Sequence, residues 1–161
     1  MIKIIWITGI SGTGKTTLAK YYLKYLKKFI WIDGDKFRKL FNNDLGYTLK
    51  DRNKNAERII NFTKFLYDQN YCIIISANLT SQKYKKIIKK KFKNIVHIQI
   101  ETDIKVLKRR DKKSIYKLNK NVVGMDIKIK ENSKFCDYKI INNSTKKEFL
   151  MYGKKILKKL K

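Results

Sequence analysis

Gly9-Ile10-Ser11-Gly12-Thr13-Gly14-Lys15-Thr16 decides how the rest of this chain is read. The apolar run 2–7 precedes it and reads as a buried strand. Thr17-Leu18-Ala19-Lys20-Tyr21-Tyr22-Leu23 follows and reads as a helix. Strand, Gly-x-x-x-x-Gly-Lys-Thr, helix is the phosphate-binding P-loop in the setting it requires. Its glycines let the backbone curl until successive N–H groups point inward at a phosphate. The helix N-terminus adds partial positive charge at the same place. Lys15 is placed to reach the β- and γ-phosphates, and the Thr16 hydroxyl to bind Mg²⁺. Gly9, Ser11, Gly12, Thr13, Gly14, Lys15, Thr16 and Thr17 are therefore the candidate ATP-binding residues.

Beyond the loop, strand-like and helix-like stretches alternate. Strands are expected at 2–7, 29–32, 72–75, 95–100 and 138–141, and helices at 16–27, 53–69, 81–92, 103–110 and 145–160. Thr145-Lys146-Lys147-Glu148 carries the capping-box spacing at the last helix start. This order implies an α/β protein of the P-loop NTPase kind: three αβα layers around a mostly parallel sheet of about five strands. Ligands then belong at the carboxyl ends of the strands.

The 161 residues suit one domain, and 43% apolar content suits a folded one. No apolar run reaches the roughly 18 residues a membrane helix needs. The sequence enters its first strand at once, so a signal peptide is not expected and a cytoplasmic location is. Cys72 and Cys136 have no second ligand at metal spacing and read as buried free thiols.

The formal charge is +27. A basic surface for nucleic acid is one explanation. Compositional bias is the other, because lysine far outnumbers arginine, Asn and Ile abound, and proline is absent. The lysines are spread over helix faces, which favours bias, with some steering of anionic substrates. Arginine carries more information. A chain that uses lysine almost everywhere has reason to keep arginine where a planar, bidentate fork matters, so Arg38, Arg52, Arg58, Arg109 and Arg110 are candidate phosphate or phosphosulfate ligands, with ordinary surface placement the alternative for each.

The second strand runs into Asp33-Gly34-Asp35-Lys36-Phe37-Arg38. Two carboxylates at a strand's carboxyl end, facing a P-loop, suit metal binding and proton transfer from a hydroxyl. A helix cap accounts equally for one of them. Further on, Arg52 and Asn55 share a helix face by their spacing. Tyr47 precedes them in a loop, either stacking on a base or half-buried as a loop aromatic.

Taken together these elements resemble adenylylsulfate kinase. The likeness runs through Trp6-Ile7-Thr8-Gly9 to Thr17, then Asp-Gly-Asp-x-x-Arg, Asp-Leu-Gly-aromatic and Asp-Arg-x-x-Asn-x-x-Arg over residues 33–58. Glu101-Thr102 and Arg110-Asp111-x-Lys113-x-x-Tyr116 resemble the approach to that family's lid, placed at 110–130 here, and Gly124-Met125-Asp126 its Gly-Ile-Asp. The resemblance implies transfer from ATP·Mg²⁺ to the ribose 3′-hydroxyl of adenosine 5′-phosphosulfate. It implies Asp35 at the hydroxyl and, with Thr16, at the metal, with Asp33 beside it and Lys15 at the transferred phosphoryl group. Arg38, Arg52 and Asn55 would hold the acceptor's anionic group and sugar, and Tyr47 its base. Lys113 would close over the nucleotides, and Arg110 would lie near the ATP base or the lid hinge. A homodimer is the assembly implied.

Three departures fall in the acceptor half. A second base-clamping aromatic is replaced by Val122-Val123, the lid between Tyr116 and Val122 is short, and Asn78-Leu79-Thr80-Ser81-Gln82 replaces Ile-Ser-Pro-Tyr-Arg. They keep a second acceptor open, a cytidine nucleotide such as cytidine diphosphoramidate from a surface-polysaccharide pathway. A basic P-loop protein that binds nucleic acid is the more distant alternative.

Overall fold

A computed structural model describes residues 2–42, 44–79, 81–111, 122–123 and 136–160. Five strands, β1 (Ile4–Thr8), β2 (Phe29–Asp33), β3 (Cys72–Ser76), β4 (Ile95–Glu101) and β5 (Tyr138–Ile141), form one sheet in the order β2-β3-β1-β4-β5. Every pairing is parallel. The described helices are α1 (Lys15–Leu23), α2 (Gly34–Lys39), α3 (Leu49–Asp68), α4 (Gln82–Lys91), α5 (Ile104–Arg110) and α6 (Lys146–Leu160). The expected three-layer α/β architecture is present.

β1 occupies the centre and is buried along its whole length, as a parallel strand covered on both faces must be. Its side chains alternate between two cores. Ile5 and Ile7 join Leu18, Tyr22, Phe149 and Leu157 beneath α1 and α6. Ile4 and Trp6 join Ile59, Ile60, Tyr84 and Ile88 beneath α3 and α4. The loop after β1 therefore emerges at mid-sheet, between two packed layers, with little freedom to move.

α1 and α6 approach closely at Gly153, where a Cβ would stand 2.5 Å from Leu18 Cδ1. Tyr22 is fully buried there and donates its hydroxyl to Gly153 O at 2.9 Å. Burial and its tyrosine neighbours push the Tyr22 phenol well above its ordinary range. Tyr22→Phe is expected to cost about 1 kcal/mol, a Tm drop of about 2–4 °C by calorimetry.

Some boundaries differ from expectation for local reasons. α3 begins at Leu49 rather than 53 because Thr48 caps it: Thr48 Oγ1 accepts from Asp51 N at 3.2 Å and donates to Asp51 Oδ2 at 2.7 Å. The Asp-Gly-Asp stretch opens a helix of its own, α2. α1 stops at Leu23, short of 27. Cys72 and Cys136 are thiols outside any disulfide, as expected, but half-buried rather than buried; Cys72 opens β3, where the strand emerges from the core.

Candidate active site

The loop after β1 is curled by three glycines in positive φ: Gly9 at 146°, Gly12 at 80° and Gly14 at 106°. At Gly9 a Cβ would lie 2.5 Å from Ile100 O, so no other residue fits without moving β4. The loop closes on Ile10 O, which accepts from Thr13 Oγ1 at 2.9 Å and from Lys15 Nζ at 2.8 Å. The Lys15 ammonium is thus folded over the loop where a phosphate would bring charge.

α2 abuts the start of α1 through one carboxylate. Asp33 Oδ1 accepts from the backbone N–H groups of Asp35 at 3.1 Å and Lys36 at 3.2 Å, capping α2. Asp33 Oδ2 accepts from Thr16 Oγ1 at 3.0 Å and from Ser76 Oγ at 3.1 Å. The cap alternative is realised in Asp33, which also reaches Thr16. The carboxylate in contact with Thr16 is that of Asp33, while Asp35 stands exposed in the first turn of α2.

A basic wall follows. Arg38 is 6% exposed and donates Nη1 to Gly46 O at 2.5 Å, while Arg52 donates Nε to Tyr47 O at 2.9 Å. Their guanidinium carbons lie 4.9 Å and 5.4 Å from the centre of the Tyr47 ring. Burial, and then the like charge of Arg38, pull Arg52 below its ordinary pKa, with Asp35 opposing. Arg38 Nε and Asn55 Oδ1 are buried with no hydrogen-bond partner among the described residues. Such atoms cost about 1–3 kcal/mol each when unmet, and Thr63 Oγ1 and Thr102 Oγ1 are in the same state. Two crowded cations and two unmet polar atoms have the chemistry to take an anion with hydroxyl groups attached.

The remaining expected residues divide. Arg58 holds Asp44 at 2.6–2.7 Å and lies 4.3 Å from the Phe41 ring centre, so it pins the loop between α2 and α3. That contact holds the Asp44 carboxyl below its usual range. Arg110 donates to Asn142 O at 3.0 Å and Ser144 O at 2.5 Å, and Asn142 Nδ2 donates to Thr13 O at 2.8 Å. The end of α5 is tied in this way to the P-loop. A cavity of about 390 Å³ opens beside it, lined in part by Ile10, Thr102, Ile104 and Asn143. Val122 packs with Leu107 and Ile10. Thr80, Lys113, Tyr116, Gly124, Met125, Asp126 and most of the 110–130 lid lie outside the described residues.

Sequence reasoning missed Ser76 and Asn142. Ser76 carried a signal, a lone hydroxyl closing an otherwise apolar strand directly opposite Asp33 in register. Asn142 carried none that spacing could show.

The adenylylsulphate kinase family model matches residues 1–131. This chain belongs to the adenylylsulphate kinase family. It is a nucleotide-binding P-loop kinase, a phosphotransferase acting on a hydroxyl group. It is 36% identical to the cytidine diphosphoramidate kinase of Campylobacter jejuni, with 98% of this chain and 95% of that protein covered. It is 31% identical to the adenylyl-sulfate kinase of Buchnera aphidicola, over 71% of this chain and 58% of that protein's length. Among solved structures, an APS kinase of Mycobacterium tuberculosis in complex with AMPPNP and APS superposes with a TM-score of 0.85 at 21% identity, covering 98% of this chain and 96% of that one. Among the described residues no helix is long and apolar enough to cross a membrane.

Proposed function

We propose that this kinase transfers the γ-phosphoryl group of ATP to the ribose 3′-hydroxyl of a nucleotide whose 5′ end carries a second anionic group. Adenosine 5′-phosphosulfate is the acceptor that family membership supports. The observation that carries the reading is the pair of unmet buried atoms, Arg38 Nε and Asn55 Oδ1, beside Arg52 and Asp35 and one short helix away from Thr16.

The geometry supports the following roles. The backbone N–H groups and helix start of residues 9–17 bind the ATP phosphates, and Lys15 leaves Ile10 O for the β- and γ-oxygens. Arg110 and the adjoining cavity flank the donor nucleoside. Mg²⁺ suits the hard oxygens of Thr16 and Asp33, which are 3.0 Å apart, in place of the Asp35 that the resemblance put at the metal with Thr16. When bound, it neutralises charge on the phosphates. Asp35 orients the 3′-hydroxyl and accepts its proton as the oxygen bonds to phosphorus and ADP departs. Arg38, Arg52 and Asn55 fix the acceptor's anionic end and sugar. Lys113 would join them from the lid. A cytoplasmic homodimer is the expected setting.

A second reading, cytidine diphosphoramidate as acceptor, has its own support. The likeness to the Campylobacter protein extends over nearly the whole chain. The residue in place of a second clamping aromatic, Val122, packs with Ile10 and Leu107. Loss of one stacking face lowers base affinity by about 1–3 kcal/mol, which matters less where the acceptor base is small. A coupled ATP-consumption assay offering both nucleotides tests the function. Turnover with either one, giving a 3′-phosphorylated product, is the expected result. Tight, salt-sensitive binding of DNA or RNA without turnover would overturn it.

A further inference from the structure

Tyr47 stands on a loop that is held on both sides of it. Arg58 grips Asp44 at 2.6–2.7 Å, and Thr48, the next residue, caps α3 through Asp51. The loop turns its backbone to the acceptor wall. Gly46 O accepts from Arg38 Nη1 at 2.5 Å, and Tyr47 O accepts from Arg52 Nε at 2.9 Å. The Tyr47 ring faces the same way. The guanidinium carbons of Arg38 and Arg52 lie 4.9 Å and 5.4 Å from its centre, within the range where an aromatic face attracts a cation.

Two guanidiniums close together repel, and more strongly where water is partly excluded. Arg38 is buried and Arg52 half-buried. Burial, and then the like charge of Arg38, lower the Arg52 pKa. A ring whose face is negative offsets the repulsion without neutralising either cation. A carboxylate in its place would neutralise them and compete with an incoming anion. The ring instead leaves the pair charged and already oriented, so less ordering is needed when the anion arrives.

The residue at the second clamp position is occupied elsewhere. Val122 is 4% exposed and packs with Leu107 and Ile10. Of the two positions that the family likeness gives to a base clamp, one therefore lies in an apolar cluster and the other turns its ring to two cations.

We propose that Tyr47 is a positioning residue for the Arg38–Arg52 pair rather than a clamp for the base, and that the acceptor is chosen by its 5′ anion and sugar, with little preference between a purine and a pyrimidine. This rests on the nucleotide 3′-kinase reading above. Charge-assisted, bidentate bonds from guanidiniums are the strong contacts available to such an acceptor. A base that meets no second ring adds little to them, whatever its size.

Two measurements test this. The first offers the parent chain acceptors in pairs that share an end group and differ in base: adenosine and cytidine 5′-phosphosulfate, and adenosine and cytidine diphosphoramidate. Within each pair, kcat/KM agrees to about threefold. The second titrates ribose 5-diphosphate, which has the sugar and an anionic end but no base, into the parent, Tyr47→Phe and Tyr47→Leu, with ADP saturating the donor site. The parent binds it, Tyr47→Phe matches the parent, and Tyr47→Leu binds it about five- to tenfold more weakly. The KM for ATP stays within about twofold in both variants, which a general loosening of the site would not allow. If the parent fails to bind this probe, or Tyr47→Leu binds it as the parent does, the positioning role is overturned. If the parent is active but favours one base of a pair by more than about threefold, the base tolerance is overturned and the kinase reading stands. If the parent turns over none of the four acceptors, the kinase reading itself fails, and this proposal with it.

Discussion

Asp35→Asn is expected to retain ATP and lose phosphoryl transfer, with kcat falling about a thousandfold and the KM for ATP within about threefold of the parent. Its carboxylate makes no hydrogen bond among the described residues and lies exposed in the first turn of α2. The charge it feels is that of Arg52, across the acceptor wall. Nothing in the fold leans on it, so the substitution should move stability by less than about 0.5 kcal/mol. A large kinetic effect with a small thermal one separates a group that handles the hydroxyl from one that holds the site together. Steady-state kinetics with nucleotide-binding titration decides the matter; an Asn variant with full kcat would remove Asp35 from the chemistry.

Asp33 should behave in the opposite way. Its two oxygens accept four hydrogen bonds, from Asp35 N, Lys36 N, Thr16 Oγ1 and Ser76 Oγ. They join β2, α2, α1 and β3 at one point. Asp33→Ala removes a helix cap and takes from the buried Ser76 hydroxyl the acceptor it donates to, leaving it only the bond from Trp31 Nε1, together costing about 2–3 kcal/mol. Asp33→Asn keeps the cap, since Asn caps as well as Asp, and should stay within about 1 kcal/mol of the parent. It removes the charge beside Thr16, however, and is expected to lower kcat at least a hundredfold and to raise the Mg²⁺ concentration needed. Thermal denaturation of both variants, with a Mg²⁺ titration of activity, tests this. An Ala variant as stable as the parent would show that the cap does not hold α2. An Asn variant saturating at the parent's Mg²⁺ level would show that the charge is not used.

These two carboxylates mark the limit of what spacing can tell. Asp-x-Asp after a strand announces paired acids; in the structure Asp33 touches Thr16 and Asp35 lies in the first turn of α2. Which acid caps, and which stays exposed, depends on how the chain turns after β2, and α2 is too short to leave a periodic signature. The arginines divide similarly. Arg38, Arg52 and Arg58 all fall on motif positions, yet Arg58 spends its fork on Asp44 while Arg38 keeps an unmet nitrogen. Tyr47 was open between base stacking and a loop role; in the structure two guanidiniums approach its ring while 52% of the residue remains exposed.

Residue order was sufficient for the P-loop, the alternation of five parallel strands with helices, and the family. Each of these is a local pattern: glycines where φ is positive, apolar runs of strand length, fixed intervals within one turn or helix. The strand order β2-β3-β1-β4-β5 and the role of each polar side chain needed three dimensions. Ser76 reaches Asp33 across 43 residues, Asn142 reaches Thr13 across 129, and Lys85 reaches Gln99 across 14 and under a helix. Contacts at such separations leave no period in the chain. They exist because packing the two cores brings the carboxyl ends of the strands to one edge, and polar groups buried there must find partners or a ligand.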